Sequence, residues 1–189
     1  MSKLVVISGP SGAGKGSVVG ELLNIYKEKN DKVHLSVSAT TRSPRHGEVD
    51  GVNYYFIKEE DFKQKLKEDE FLEYNIYGTN KYYGTLKSHV FKYLNEGYDV
   101  ILEIDINGYK QVISNYKEAI GIFIMPPSLE ILEKRLRDRG TETEENILKR
   151  LKTAEEEIKN KGIYPHIVIN HDGMIDVAAR EVYDIIKTN

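Results

Sequence analysis

The stretch Gly9-Pro10-Ser11-Gly12-Ala13-Gly14-Lys15-Gly16-Ser17 constrains this chain more than any other. It follows the apolar run Leu4-Val5-Val6-Ile7 and opens a segment of helical character. Strand, glycine-rich turn, lysine and helix in that order make a cradle for phosphate. Glycines let backbone N–H groups turn inward around anionic oxygens. The following helix adds the positive end of its dipole, and Lys15 adds a point charge near the outer phosphates. The pattern G-x-x-x-x-G-K-[ST] holds from Gly9 to Lys15 and then departs. Gly16 stands where a hydroxyl usually ligates Mg2+, and Ser17 comes one residue late. A plain glycine-rich turn between strand and helix is the competing reading, and the spacing and context together argue against it.

A chain of 189 residues is expected to form one domain with a full core, with room for inserted lobes. Cysteine is absent, which excludes disulfides and thiol–metal sites and fits a reducing compartment. The 27 basic and 30 acidic residues give a net charge of −3, without the broad basic footprint of a nucleic-acid binder. A polyanionic ligand must therefore be met by local arginines and lysines. No apolar run is long enough to span a bilayer and no signal-peptide pattern follows Met1-Ser2-Lys3. The expectation is a cytoplasmic protein with neither nucleic acid nor membrane as partner.

Apolar runs alternate with helical patterns. Strands are expected at 4–8, 33–37, 99–104, 120–125 and 167–169, several of them near-continuous apolar runs of the kind buried in a parallel sheet. Helices are expected at 15–28, 86–96, 107–115, 128–138, 143–160 and 174–187. In the fifth, Ile147, Leu148, Leu151, Ala154 and Ile158 form a stripe at helical spacing, and Thr141 with Glu144 matches a capping box. This alternation predicts a doubly wound α/β fold, a three-layer α/β/α arrangement around a central parallel five-stranded sheet. Residues 39–85 break the rhythm. They are polar and turn-rich, with short strand-like pieces at Tyr54-Tyr55-Phe56 and Phe71-Leu72-Glu73-Tyr74 around a helix near 59–68. They read as an inserted small lobe of β-rich character, which suggests a two-substrate enzyme.

Three clusters carry chemistry. Thr40-Thr41-Arg42-Ser43-Pro44-Arg45 lies past the second strand, where ligands sit in open α/β sheets. Its two arginines can grip one phosphate from two directions. Glu103-Ile104-Asp105 ends an apolar strand beside the cradle, a position suited to Mg2+ directly or through water, although Asp105 also suits a helix N-cap. Arg135, Arg137, Arg139 and Arg150 surround Gly140-Thr141-Glu142-Thr143. Guanidinium groups stabilise a phosphoryl group in flight, but for Arg135 and Arg137 ion pairs along an exposed helix are the favoured reading. The five histidines show no metal-ligand spacing.

Taken together, the chain resembles guanylate kinases of the P-loop nucleoside monophosphate kinase group. The resemblance runs through the cradle, Ser36 to Arg45, Gly47-Glu48-Val49-Asp50-Gly51, Tyr54, Phe71-Leu72-Glu73-Tyr74 and Tyr82-Tyr83-Gly84-Thr85. It continues through Leu102-Glu103-Ile104-Asp105, Pro126-Pro127-Ser128, Arg139 to Glu144 and Val168-Ile169-Asn170. It implies one domain with a core of 1–38, 86–125 and 158–189, a GMP-binding lobe at 39–85 and a helical lid at 126–157. The implied reaction is ATP + GMP = ADP + GDP, a step of purine nucleotide metabolism carried out with Mg2+. ATP would lie against Gly12, Ala13, Gly14, Lys15, Gly16 and Ser17, with Arg139 and Asn170 nearby. GMP would meet Ser38, Arg42, Arg45, Tyr54, Glu73, Tyr83, Thr85, Asp105 and Arg150. Catalysis would fall to Lys15, Arg42, Arg45, Arg139 and Arg150. Metal contact would come from Ser17, Glu103 and Asp105, through water, because Gly16 lacks the hydroxyl. A carboxylate at Glu73 can accept both guanine N1–H and the exocyclic amine, whereas adenine offers an acceptor at N1 and leaves the charge unpaired. The chain would act as a monomer or weak homo-oligomer. Alternatives are a kinase for AMP or another monophosphate, a catalytically dead scaffold module and a GTP-hydrolysing switch. The arginine pair and Lys15 are present, against the second, and an Asn-Lys-x-Asp element is lacking, against the third.

Overall fold

The computed structural model describes residues 2–78, 80–138, 140 and 143–189. In chain order the elements begin β1 (Leu4–Ser8), α1 (Lys15–Glu28), β2 (Val33–Leu35), β3 (Ala39–Thr40), β4 (Tyr55–Phe56) and α2 (Glu59–Lys67). Then come β5 (Phe71–Tyr77), β6 (Lys81–Leu86), α3 (Lys87–Asn95), β7 (Asp99–Glu103) and α4 (Ile106–Asn115). The chain closes with β8 (Ile120–Met125), α5 (Leu129–Asp138), α6 (Glu144–Lys159), a 3-10 turn at Lys161–Ile163, β9 (His166–Ile169) and α7 (Ile175–Thr188).

Five strands form the central sheet in the order β2-β7-β1-β8-β9, all parallel. In the central strands β1, β7 and β8 the apolar runs have no polar side because helices cover both faces. Along β1, Val5 and Ile7 point to a core shared with α1 and α7, while Leu4 and Val6 point to one shared with α3 and α4. α7 presents Ala178, Ala179, Val182 and Ile186 to the first core. Asp99 anchors the far end of the sheet, accepting from Tyr26, Lys187 and the Lys3 backbone at 2.9 Å each.

The inserted segment builds a second sheet, β4-β3-β6-β5. β5 and β6 pair as a hairpin, and the sheet closes on Ala39, Phe62, Phe71 and Leu86. β6 was not among the expected strands: its Lys81-Tyr82-Tyr83-Gly84-Thr85 sequence lacks an apolar alternation, and its partner β5 supplies the order. Edge strand β5 is strapped to the core by Gln111, whose side chain accepts from Tyr74 N at 3.1 Å and donates to Tyr74 O at 2.8 Å.

Helices α5 and α6 pack through Leu132, Leu136, Ile147, Leu151 and Ala154. The expected stripe is corrected at Leu148, which is 55% exposed because one residue past Ile147 turns it about 100° off that face. The cap is also corrected. Thr143 begins α6 and accepts from Asn146 N, and Glu144 pairs with Arg137 instead. Thr141 lies outside the described residues. Among the described residues no helix is long and apolar enough to cross a membrane.

Candidate active site

β1, β7 and β9 end on the same edge of the sheet, and each hands its next residues to the site. After β1 the cradle turns through Gly14, which has φ +86° at the N-cap of α1. A side chain there would be strained, and its Cβ would lie 2.4 Å from Asn170 Nδ2. Lys15 Nζ donates to the carbonyls of Gly9 at 2.6 Å and Pro10 at 3.2 Å. After β9, Asn170 is buried and its Nδ2 donates to Ala13 O at 2.9 Å. Its Oδ1 is buried, with no hydrogen-bond partner among the described residues.

Two cavities flank the cradle. One, of about 330 Å³, is lined by Gly9, Ser11 and Lys15 on the core side and by Ser38, Tyr54, Glu73 and Tyr83 from the small lobe. Glu103, Asp105, Asn75, Tyr77 and Glu157 complete its wall. The other is lined by Gly12, Gly14, Ser17, Asn170, Arg135 and Asp172, among others. The residues that sequence reasoning assigned to a donor and to an acceptor thus largely divide between two adjoining clefts, with Lys15 at the wall of the first.

Glu73 is the most unusual group. It is 5% exposed, and its Oε1 accepts from Thr85 Oγ1 at 2.6 Å. Thr85 spends its only proton there, so Ser38, 3.4 Å away, donates to Thr85 in turn. Burial pushes the Glu73 carboxyl up to about 7, Thr85 pulls it down less strongly, and the Asp105 charge adds to the rise. Gly108 permits the close approach: a Cβ on it would lie 2.8 Å from Glu73 Oε2.

Asp105 combines the two expected roles. Its Oδ1 caps α4 by accepting from Gly108 N at 2.8 Å, and its Oδ2 accepts from Asn75 Nδ2 at 2.7 Å and from the Tyr77 hydroxyl. Both oxygens are thereby engaged. Ser17 lines the opposite cleft from Glu103 and Asp105, so the three residues expected around Mg2+ do not converge. Among the described residues no group of three acidic or histidine side chains could cage a metal ion. This donor set fits an ion carried in on phosphate and water, with Glu103 at the cavity wall, and does not fit a protein cage.

The arginines behave differently from one another. Arg42 reaches Glu48, Tyr83 and Ser43, and its guanidinium lies near the Tyr54 and Phe56 rings. The Arg45 side chain is exposed. Arg150 reaches the cradle from α6, donating to Ser11 Oγ at 3.3 Å. Arg137 pairs with Glu133 and Glu144, the ion-paired helix face the sequence allowed. Arg135 is more than that. It donates to Ala13 O at 3.3 Å, Asn170 O at 2.8 Å and Asp172, and so ties α5 to the cradle. Arg139, expected at the donor phosphates, lies outside the described residues.

Sequence reasoning missed Asn75, Tyr77 and Glu157. A signal was present: residues 73, 75 and 77 share one face of a strand, and 150 and 157 lie two turns apart on one helix face. Glu157 sits with Lys15 and Asp105 at the cavity; burial raises its pKa most, Lys15 opposes this, and Asp105 adds to it.

A phosphate cradle and a buried carboxylate on facing sheets, lining a shared cavity, define a P-loop phosphotransferase acting on nucleotides. The guanylate kinase family model matches residues 1–189. Guanylate kinases of Clostridium tetani and Caldanaerobacter subterraneus are 53% and 50% identical, covering 90% and 97% of this chain and 81% and 85% of their own length. That of Prochlorococcus marinus is 47% identical, covering 100% of the chain and 98% of itself. The crystal structure of guanylate kinase from Anaplasma phagocytophilum superposes with a TM-score of 0.75 at 28% identity, covering 99% of this chain and 85% of that one. The chain belongs to the guanylate kinase family.

Proposed function

We propose that this protein transfers the γ-phosphoryl group of ATP to GMP, giving ADP and GDP. Family membership supports the reaction, and the observation that carries the substrate assignment is buried Glu73, held by Thr85, which Ser38 reaches in turn; Glu73 and Ser38 line the cavity that also holds Lys15. GMP would enter that cavity with its base toward Glu73 and its phosphate toward Arg42, Arg45, Tyr54 and Tyr83. Ionised Glu73 accepts from guanine N1–H and the exocyclic amine. ATP would lie along the cradle, with adenine toward Asn170 Oδ1, which has no partner among the described residues, and the outer phosphates at Lys15.

The acceptor phosphate is a nucleophile as it stands near neutral pH, so no general base is needed. The chain's own contribution is alignment and neutralisation. Lys15 exchanges its two carbonyl partners for phosphate oxygens, and Arg42, Arg45, Arg139 and Arg150 surround the equatorial oxygens as charge builds. Glu103 would hold, through water, the Mg2+ that accompanies ATP, and the ion would supply neutralisation of the donor phosphate charge. The small lobe at 39–85 and the helices at 126–157 would close over the pair, excluding water. A cytoplasmic setting and action as a monomer or weak homo-oligomer belong to the same proposal.

A phosphotransfer panel tests it. With ATP and Mg2+, ADP should form with GMP and not with AMP, dTMP or UMP at equal concentration. Equal rates with AMP would overturn the assignment of Glu73.

A further inference from the structure

We propose that Glu48 is a positioning residue: its carboxylate sets Arg42 for the acceptor phosphate and leaves Arg45 as the arm that moves. The inference rests on the reading of Arg42 as a phosphate ligand.

Glu48 follows Arg45 by three residues in a loop with little structure of its own. Its Oε1 accepts from Arg42 Nη2 at 2.8 Å, and its Oε2 accepts from Arg42 Nη1 at 2.9 Å. Oε2 also accepts from the backbone N–H of Arg45 at 2.7 Å. One carboxylate thus grips one arginine by its fork and the other by its backbone. The fork-to-fork contact fixes a plane as well as a distance. Exposure of the two side chains is only 10% and 18%, so water competes weakly for the pair.

The rest of Arg42 is equally committed. Its Nε donates to the Tyr83 hydroxyl at 3.2 Å, and Nη1 donates a second bond to Ser43 O at 2.7 Å. Every guanidinium N–H except one on Nη2 is then in use. That remaining N–H lies on the Nε side of the group, the side facing Tyr83, which lines the cavity. The Tyr54 and Phe56 rings stand 5.4 and 5.8 Å from the guanidinium carbon. Arg42 is a fixed wedge presenting one edge to the pocket. The Arg45 guanidinium is exposed and makes no hydrogen bond among the described residues. The same loop therefore holds one arginine already aimed and one still to be aimed.

Glu48 stays charged throughout any working range, because the Arg42 fork and then the Arg45 N–H hold it down at about 2. It subtracts charge from the phosphate site, yet what it returns is orientation. A free arginine must give up rotamer freedom to bind, and a pre-aimed one has already done so.

The test compares Glu48→Gln, Arg42→Ala and the double variant by GMP KM, ATP KM, kcat and Tm. Gln keeps the shape but turns one acceptor into a donor facing N–H groups. Glu48→Gln should raise GMP KM about tenfold, with ATP KM within about twofold. In the Arg42→Ala background it should add nothing, because residues acting through one another are not additive. Full additivity, or a GMP KM unchanged or lowered by Glu48→Gln, overturns the inference; a lowered value would mean that Glu48 competes with phosphate for Arg42. Arg42→Ala with GMP KM intact removes the phosphate-ligand reading and this inference with it. A raised KM in Arg42→Ala beside a silent Glu48→Gln removes only the role of Glu48. Should the Gln variant not fold, Glu48→Asp, too short to span both arginines, should raise GMP KM several-fold, and an unchanged value overturns the inference equally.

Discussion

Around the cradle, side chains brace backbone. Lys15 donates to the carbonyls of Gly9 and Pro10, Arg135 to those of Ala13 and Asn170, and Asn170 to that of Ala13. In the small lobe, side chains hold side chains: Glu48 holds Arg42, Thr85 holds Glu73, and Asn75 and Tyr77 hold Asp105. On the proposed reading of the site, the difference follows from what each end would recognise. Phosphate is the same on every nucleotide, and N–H groups of a correctly turned loop suffice for it. A base must be told from other bases, which takes a buried charge of chosen position, and burying charge is costly. The cradle is therefore fragile toward backbone changes and the lobe toward charge changes.

The largest effect should come from breaking the backbone rule. Gly14→Ala forces a side chain into φ +86° and against Asn170. It should lower kcat/KM for ATP by at least about a hundredfold, a cost of roughly 3 kcal/mol in transition-state binding, and disturb GMP binding much less. An equal loss for both substrates would show that the two ends are not separable.

Next comes the lobe's charge. Glu73 has a folded value of about 7 against an ordinary 4.5. Between those values the folded protein binds a proton that the unfolded chain has released. Stability therefore falls as pH rises through that window, and above pH 7 the ionised carboxylate costs the fold about 3 kcal/mol. Glu73→Gln should accordingly raise Tm at pH 8 and leave it unchanged at pH 4, while lowering kcat/KM for GMP about a hundredfold. For the unmutated protein, GMP KM should rise as pH falls below about 7, since the protonated acid loses one acceptor oxygen. The GMP phosphate titrates nearby, at about 6, so the decisive measurement is the same profile in Glu73→Gln, which should lack the upper step. A variant that binds GMP as tightly as before, or is no more stable at pH 8, breaks the link between buried charge and base reading.

What the sequence disclosed follows the same division. The strand, cradle and first helix were legible because both faces of β1 are buried and glycine marks the turn. β7 and β8 were legible for the first reason alone, whereas the edge strands β2 and β9, the latter exposing Ile167 and Ile169, were legible only as short apolar runs. The small sheet was only half visible, because the polar β6 gains its order from pairing with β5. Glu73 was found through its motif, yet its neighbours Asn75 and Tyr77 were passed over although strand alternation puts them on its face. Arg135 read as a surface charge because its partners Ala13 and Asn170 offer backbone carbonyls, which no side-chain pattern reveals, from 122 and 35 residues away. Glu48 lay in plain sight three residues after Arg45, but only distances show that it serves both arginines.

The smallest expected effect concerns the place where the cradle departs from its pattern. Gly16 is exposed on the first turn of α1, its φ is not in the left-handed region, and a Cβ there would meet nothing within 4 Å among the described residues. Nothing in the fold requires glycine. Thr is a better helix former than Gly by about 0.4 kcal/mol, so Gly16→Thr should raise Tm by about 1 °C. The substitution also supplies the hydroxyl that the pattern normally directs at the metal ion. If Mg2+ is held here by phosphate and water alone, the added ligand should lower the half-saturating Mg2+ concentration a few-fold, with GMP KM unmoved. A higher Tm with unchanged Mg2+ dependence would place the ion out of reach of position 16 and direct attention to Glu103. A shift in GMP KM would mean that the cradle and the lobe communicate through the ion, and the separation drawn between them would then fail at the metal.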